Sequence, residues 1–248
     1  MVVILSSTMR LPRKPEGVIF DMDGLLIDTI PIYIQAMTAA GADVGHQVPR
    51  DYLLSLIGLL GQELQNRLTS DFGQDFPVQD FLQVTGERLT QILSKGAPLK
   101  KGAVELIEHL HSLQIPMAVA TSMKKQEAEH QLELSNLRHL LVEVVGRDNV
   151  ELSKPHPDLY LKAASHLQLQ PGVCVALEDS FNGIKSAHSA GCMTIMVPDV
   201  LSPTAEIGLL CVEIASDLHE VKALFPPGGG HVLTTAKPGI PADCLQLR

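Results

Sequence analysis

Five short runs of nearly unbroken apolar residues set the narrowest limit on the fold of this chain. They are Gly17 to Phe20 (GVIF), Pro116 to Thr121 (PMAVAT), Leu140 to Val145 (LLVEVV), Val173 to Leu177 (VCVAL) and Met193 to Val197 (MTIMV). Strands that are apolar on both sides suit a parallel sheet covered on both faces, since a sheet with one wet face would alternate. Helical patterns lie between the runs. From Ala103 to Leu113, Val104, Ile107, Leu110 and Leu113 form one stripe with Ala103 and Leu106. Asp158 to Leu169 and Asn182 to Ala190 also read as helices, and Gly191 is placed to stop the second. Alternating strand and helix predicts a doubly wound α/β domain.

The spacing of the runs is uneven. About a hundred residues separate the first from the second, far more than one crossover needs. From Ile32 to Pro98 the pattern is helical, with no buried strand. The expected organisation is therefore a core beginning in residues 1–31, an inserted all-helical cap over 32–98, the rest of the α/β core over 99–225, and a flexible tail over 226–248 (Pro226 opens PPGGG). The cap's connections are expected at Asp28 to Pro31 and Lys95 to Pro98. Residues 1–14 read as a loose lead-in, with Met9 an alternative start.

Composition narrows the function. The chain has 248 residues, 45% of them hydrophobic, enough for a core and a small second domain. Its formal charge of -9, without any Lys/Arg cluster beyond short pairs, argues against nucleic acid as partner. No stretch approaches the ~20 apolar residues of a membrane span. The four cysteines, Cys174, Cys192, Cys211 and Cys244, form no zinc-like pattern. Cys174 and Cys192 read as buried hydrophobes, which suits a reducing, cytoplasmic setting. Without an interface signal, the expected state is a monomer.

Ligands of a doubly wound sheet sit beyond the carboxyl ends of its strands. Polar groups fall at those ends here. Asp21 and Asp23 follow the first run, Thr121 and Ser122 the second, Glu178 and Asp179 the fourth, and Lys154 lies in the connection after the third. Residues two apart on an extended segment point the same way, so Asp21 and Asp23 can face one reaction centre. One carboxylate can attack phosphorus while the other gives and takes protons. Taken alone, Asp21 to Gly24 is also an ordinary strand ending in an Asp-Gly turn, and Glu178-Asp179-Ser180 an ordinary acidic helix start. Together, three or four crowded carboxylates repel unless a hard cation binds them, and magnesium prefers such oxygen ligands. Lys154, between Ser153 and Pro155, offers a point charge for a carboxylate and a phosphate. Thr121 and Ser122 can supply a hydroxyl and backbone N–H groups to phosphoryl oxygens.

This order, Asp-x-Asp-Gly, Thr-Ser, Lys-Pro, Glu-Asp, resembles the haloacid dehalogenase superfamily from about Gly17 to Pro203. It is closest to the branch with a helical cap after the first motif, that of β-phosphoglucomutase, phosphoglycolate phosphatase and pseudouridine-5′-phosphatase. The resemblance implies a Rossmann-like core and a magnesium-dependent phosphatase acting on a small phosphorylated metabolite through an aspartyl-phosphate. It implies Asp21 as nucleophile and Asp23 as general acid and base, with the Asp23 carbonyl on the metal. Thr121 and Ser122 become phosphate-binding, with Gly24 beside the substrate, Lys154 the charge-balancing lysine, Asp179 a metal ligand, Glu178 a direct or water-mediated one, and Thr29 the hinge. Ser153 stands where the family often has glycine.

The family's mutases are a rival reading, but they carry a cap arginine after a glycine. The corresponding stretch, Gly58-Leu59-Leu60-Gly61-Gln62-Glu63, has none. With no lysine between Pro31 and Ser94, phosphonate hydrolysis through a cap Schiff base is unexpected. Gln62, Glu63, Arg67 and Arg88 are the polar cap residues that could meet substrate, or simply exposed helix residues. A phospho-acceptor receiver domain, the reading from another class, has its acid pair before the acceptor aspartate and no cap, the opposite of this order.

Overall fold

The computed structural model describes residues 11–57, 59 and 61–226. The lead-in before residue 11, Cys244 and the tail beyond Pro226 lie outside them. In chain order the elements are β1 (Gly17–Phe20), α1 (Thr29–Asp43), α2 (Arg50–Ser55), α3 (Gly61–Phe72), α4 (Val78–Leu93), α5 (Ala103–Ser112), β2 (Met117–Ala120), α6 (Lys125–Leu134), β3 (Glu143–Val145), α7 (Asp158–His166), β4 (Cys174–Glu178), α8 (Phe181–Ser189), β5 (Met193–Met196), α9 (Ala205–Gly208), β6 (Glu213–Ile214) and α10 (Leu218–Ala223). The strands form one sheet in the order β3-β2-β1-β4-β5-β6. Every pairing is parallel. The order reverses beside β1, which places a ligand crevice at its carboxyl end.

The apolar runs are nearly unbroken because both faces are covered. Val18, Phe20, Val119, Val175, Leu177 and Ile195 pack into one cluster with residues of α5, α6 and α10. Ile19, Ala118, Ala120 and Ala176 point the other way, against Ala163 and Ala164 of α7 and Ala187 of α8. Small side chains on that face let the helices lie close to the sheet. Cys174 and Cys192 are buried there, as expected from sequence.

Between β1 and β2 lies the helical insert. Its hydrophobic cluster is its own: Ile34, Met37, Leu53, Leu68, Phe76 and Phe81, with Phe72 stacked on Phe76 at 4.8 Å. The helix starts earlier than the sequence suggests. α1 begins at Thr29, so Pro31 sits in its first turn, where proline costs no hydrogen bond. The outgoing and returning chains are tied side by side. Ile27 bridges Leu99, Asp28 N donates to Pro98 O at 2.8 Å and Lys100 N to Leu26 O at 2.9 Å.

Two more differences have physical causes. Only the end of the Leu140–Val145 run is a strand, because the Arg138 guanidinium holds the Leu141 carbonyl at 3.0 Å and the Leu141 side chain turns into the core. The edge strand β6 and helix α6 have no counterpart among the expected elements. Two residues at a sheet edge make no apolar run, and α6 buries only Ala128, Gln131 and Leu132.

Candidate active site

The carboxyl end of β1 delivers Asp21, whose N–H donates to Leu177 O at 2.9 Å; its side chain is buried. The next strand over, β4, ends in Glu178, which is fully buried, followed by Asp179. Lys154 reaches in from the loop between β3 and α7. Its ammonium pairs with Asp21 Oδ1 and lies 2.6 Å from Glu178 Oε1. Carboxylate oxygens of Asp21, Glu178 and Asp179 lie within 4.8 Å of one another. Three acids and one ammonium thus share a buried pocket. The imbalance shows in their proton affinities. Burial, then the Glu178 charge, raises the Asp21 carboxyl, and Lys154 only partly offsets them. Burial, then Asp21 and Glu178, raises Asp179 well above the carboxylate range. For Lys154, burial works against the charge, but the two carboxylates outweigh it and push its pKa up.

The donor set fits a hard divalent cation. All its groups are carboxylate oxygens, and Asp179 Oδ1 is buried with no hydrogen-bond partner among the described residues. A cation there would relieve the acid surplus that one lysine leaves. Glu178 is otherwise occupied. Its Oε1 accepts from Lys154 and from the Tyr160 hydroxyl, each at 2.6 Å, and its Oε2 accepts from Ser180 Oγ at 3.0 Å.

Two glycines shape this cluster. Gly24 has φ +84°, and a Cβ there would stand 2.2 Å from Asp179 Oδ2, so its absent side chain is what admits the acid. Gly183, in the first turn of α8, leaves the space that the Glu178 carboxylate fills.

Asp23 lies two residues past Asp21. Burial raises its carboxyl to about 6, against the lowering pull of Lys154 and of the Thr121 hydroxyl. That places it where a group can both give and take a proton near neutrality. Thr121, fully buried after β2, accepts from Met123 N at 3.1 Å, which leaves its own proton to donate. Ser122 beside it is exposed. Thr29 is buried at the start of α1.

The cap candidates lie elsewhere, in contacts of their own. Gln62 donates to Asn66 at 2.9 Å, Arg67 pairs with Asp71 at 2.5 Å, and Arg88 joins α4 to α1 by donating to Asp43, its Nε at 2.8 Å. Glu63 is exposed in the first turn of α3, and Gly58 and Leu60 lie outside the described residues. Sequence reasoning missed Tyr160 and Ser180, which hold Glu178, and Gly183, which makes room for it. It also missed Lys100, which pairs with Asp199 at 2.8 Å and Asp28 at 3.6 Å where the insert joins the core. Tyr160 carries no signal of its own, since it falls on the same buried stripe of α7 as Leu159, Ala163 and Ala164.

Residues 18–197 match the haloacid dehalogenase-like hydrolase family. The chain belongs to that family. It is 32% identical over 199 residues to a Drosophila melanogaster protein named a probable pseudouridine-5′-phosphatase, covering 77% of this chain and 84% of that one. It is 31% identical over 176 residues to a phosphorylated carbohydrates phosphatase of Thermotoga maritima, 71% of this chain and 82% of the relative. A crystal structure of a haloacid dehalogenase family hydrolase from Deinococcus radiodurans, with bound phosphate and sodium, superposes at a TM-score of 0.71 with 25% identity, over 84% of this chain and 93% of that one.

Proposed function

We propose that this hydrolase removes phosphate from a small phosphorylated metabolite, of sugar phosphate or nucleoside monophosphate type, through an aspartyl-phosphate on Asp21. The observation that carries the reading is the buried Lys154 ammonium shared between Asp21 and Glu178, with Asp179 against them. That arrangement sets an ammonium against the Asp21 carboxylate, opposing the burial and the neighbouring Glu178 charge that favour its protonation, and a nucleophile needs the ionised form. The named activities of the Drosophila and Thermotoga relatives supply the substrate class.

In the first step an Asp21 oxygen bonds to phosphorus and the P–O ester bond breaks. The leaving oxygen takes the proton held by Asp23. In the second, Asp23 takes a proton from water, whose oxygen displaces Asp21 from phosphorus and gives inorganic phosphate. Thr121, Ser122 and Lys154 hold the phosphoryl oxygens throughout. Asp21, Asp179 and the Asp23 carbonyl would hold Mg2+, which when bound supplies charge stabilisation at the phosphoryl group. Gly24 serves by letting Asp179 approach. Residues 32–98 act as a cap that shuts out bulk water and selects the leaving group, hinged near Thr29. Gln62 is its proposed substrate contact, whereas Arg67 and Arg88 would first have to leave Asp71 and Asp43. The enzyme is proposed to work as a cytoplasmic monomer; among the described residues no helix is long and apolar enough to cross a membrane.

The test is phosphate release from a panel of phosphorylated sugars and nucleoside monophosphates with Mg2+. Wild type should turn over at least one, and Asp21→Asn should turn over none while keeping its fold by circular dichroism. Wild-type rates from Asp21→Asn would overturn the proposal.

A further inference from the structure

Lys154 serves two masters, and the balance between them depends on a third residue. Its one ammonium bridges the carboxylates of Asp21 and Glu178. A cation placed between two buried anions is drawn towards the one with fewer other donors. Glu178 is fully buried, with Oε2 tied to Ser180. Its Oε1, the oxygen facing Lys154, has one further donor, the hydroxyl of Tyr160 at 2.6 Å. Tyr160 is itself fully buried, and α7 packs against β1, β2 and β3, so the phenol cannot swing away. Its ring centroid lies 5.4 Å from the Lys154 ammonium, a separate attraction that belongs to the ring rather than the hydroxyl.

We propose that Tyr160 is a positioning residue: its hydroxyl fixes Oε1 of Glu178 and so sets how the Lys154 ammonium is divided between Glu178 and Asp21. With the phenol donating, Glu178 is partly satisfied, and the ammonium is left to serve Asp21 and the phosphoryl group. Without it, Oε1 has only Lys154, which retreats towards Glu178. The kinetic part of this inference rests on Asp21 being the nucleophile of the proposed hydrolase.

Tyr160→Phe isolates the hydroxyl, because the ring, its packing and its contact with the ammonium remain. In the full chain with Mg2+, kcat should fall by about tenfold, the lower end of what losing a supporting hydrogen bond around a metal-dependent site costs. In a Glu178→Gln background, where the anionic acceptor is gone, adding Tyr160→Phe should change kcat by less than about twofold, the scatter of uncoupled sites. A kcat for Tyr160→Phe within about twofold of wild type would overturn the inference. So would an equal drop in both backgrounds, which would mark a role in packing alone. If wild type releases no phosphate from any ester of the panel, the hydrolase reading fails and the crystal structure of Tyr160→Phe decides this one. An ammonium moved towards Glu178 supports it; one unmoved between the two carboxylates overturns it.

Discussion

Gly183→Ala perturbs the proposed active site without altering any ionisable group. The added Cβ would stand 1.9 Å from Cδ and from both carboxylate oxygens of Glu178. Ordinary contact begins near 3.4 Å, so about 1.5 Å must be recovered. A free glutamate would swing aside at little cost, but this one is held by Lys154, Tyr160 and Ser180. Breaking one such charge-assisted bond costs roughly 1.5–3 kcal/mol. Shifting α8 instead costs about 1–3 kcal/mol, the usual penalty of overpacking. Whichever route is cheaper, a loss of about 2 kcal/mol is expected, or ~4–8 °C in Tm for a chain this size. Gly86 supplies the control. It is exposed inside α4, and nothing lies within 4 Å of a Cβ there. Gly86→Ala should therefore stabilise by about 0.5–1 kcal/mol. Urea midpoints and thermal melts of the two variants should move in opposite directions, and Gly183→Ala alone should lose phosphate release. A Gly183→Ala protein within ~0.5 kcal/mol of wild type would refute the claim that Glu178 is pinned.

Asp179→Asn should raise the Mg2+ concentration for half-maximal activity about tenfold or more, read from metal titrations at saturating substrate. Asp217 caps α10 by accepting from His219 N and Glu220 N, both at 2.9 Å, and these donors, Glu220 N foremost, hold its carboxyl below the usual range. A group lowered on folding stabilises above its unfolded pKa of about 3.9 and loses that contribution as pH falls through its folded value. Asp217→Ala should thus cost ~0.5–2 kcal/mol at neutral pH, and its urea midpoint should converge on wild type in acid. Arg88→Ala removes an exposed pair with Asp43 and should change stability by less than about 1 kcal/mol. Its KM should stay at the wild-type value; a rise would place Arg88 on the substrate.

The core was legible because β1, β2, β4 and β5 are covered on both faces, and only Thr194 in β5 interrupts their apolar runs before the ligand rim. β6 was not, since an edge of two residues needs no pattern, and α6 shows the solvent a charged face that hides its thin buried stripe. Within the site, Asp21, Lys154 and Asp179 could be read from their places at strand ends, and the structure brings them together. Tyr160 could not, because a tyrosine on the buried stripe of an amphipathic helix looks the same whether or not its hydroxyl has a task. The cap residues were the least legible. Helical periodicity says which face is wet but not what that face meets: the Arg88–Asp43 pair emerged only from the packing of α4 on α1, while Arg67 pairs within α3 with Asp71, four residues on.

The most direct test of an esterified Asp21 is a single turnover quenched in acid and mapped by peptide mass spectrometry. The phosphoryl group should appear transiently on the peptide carrying Asp21, persist longer in Asp23→Asn, and be missing in Asp21→Asn. Rapid phosphate release with the label on another residue, or on none in either Asp23→Asn or wild type, would contradict it.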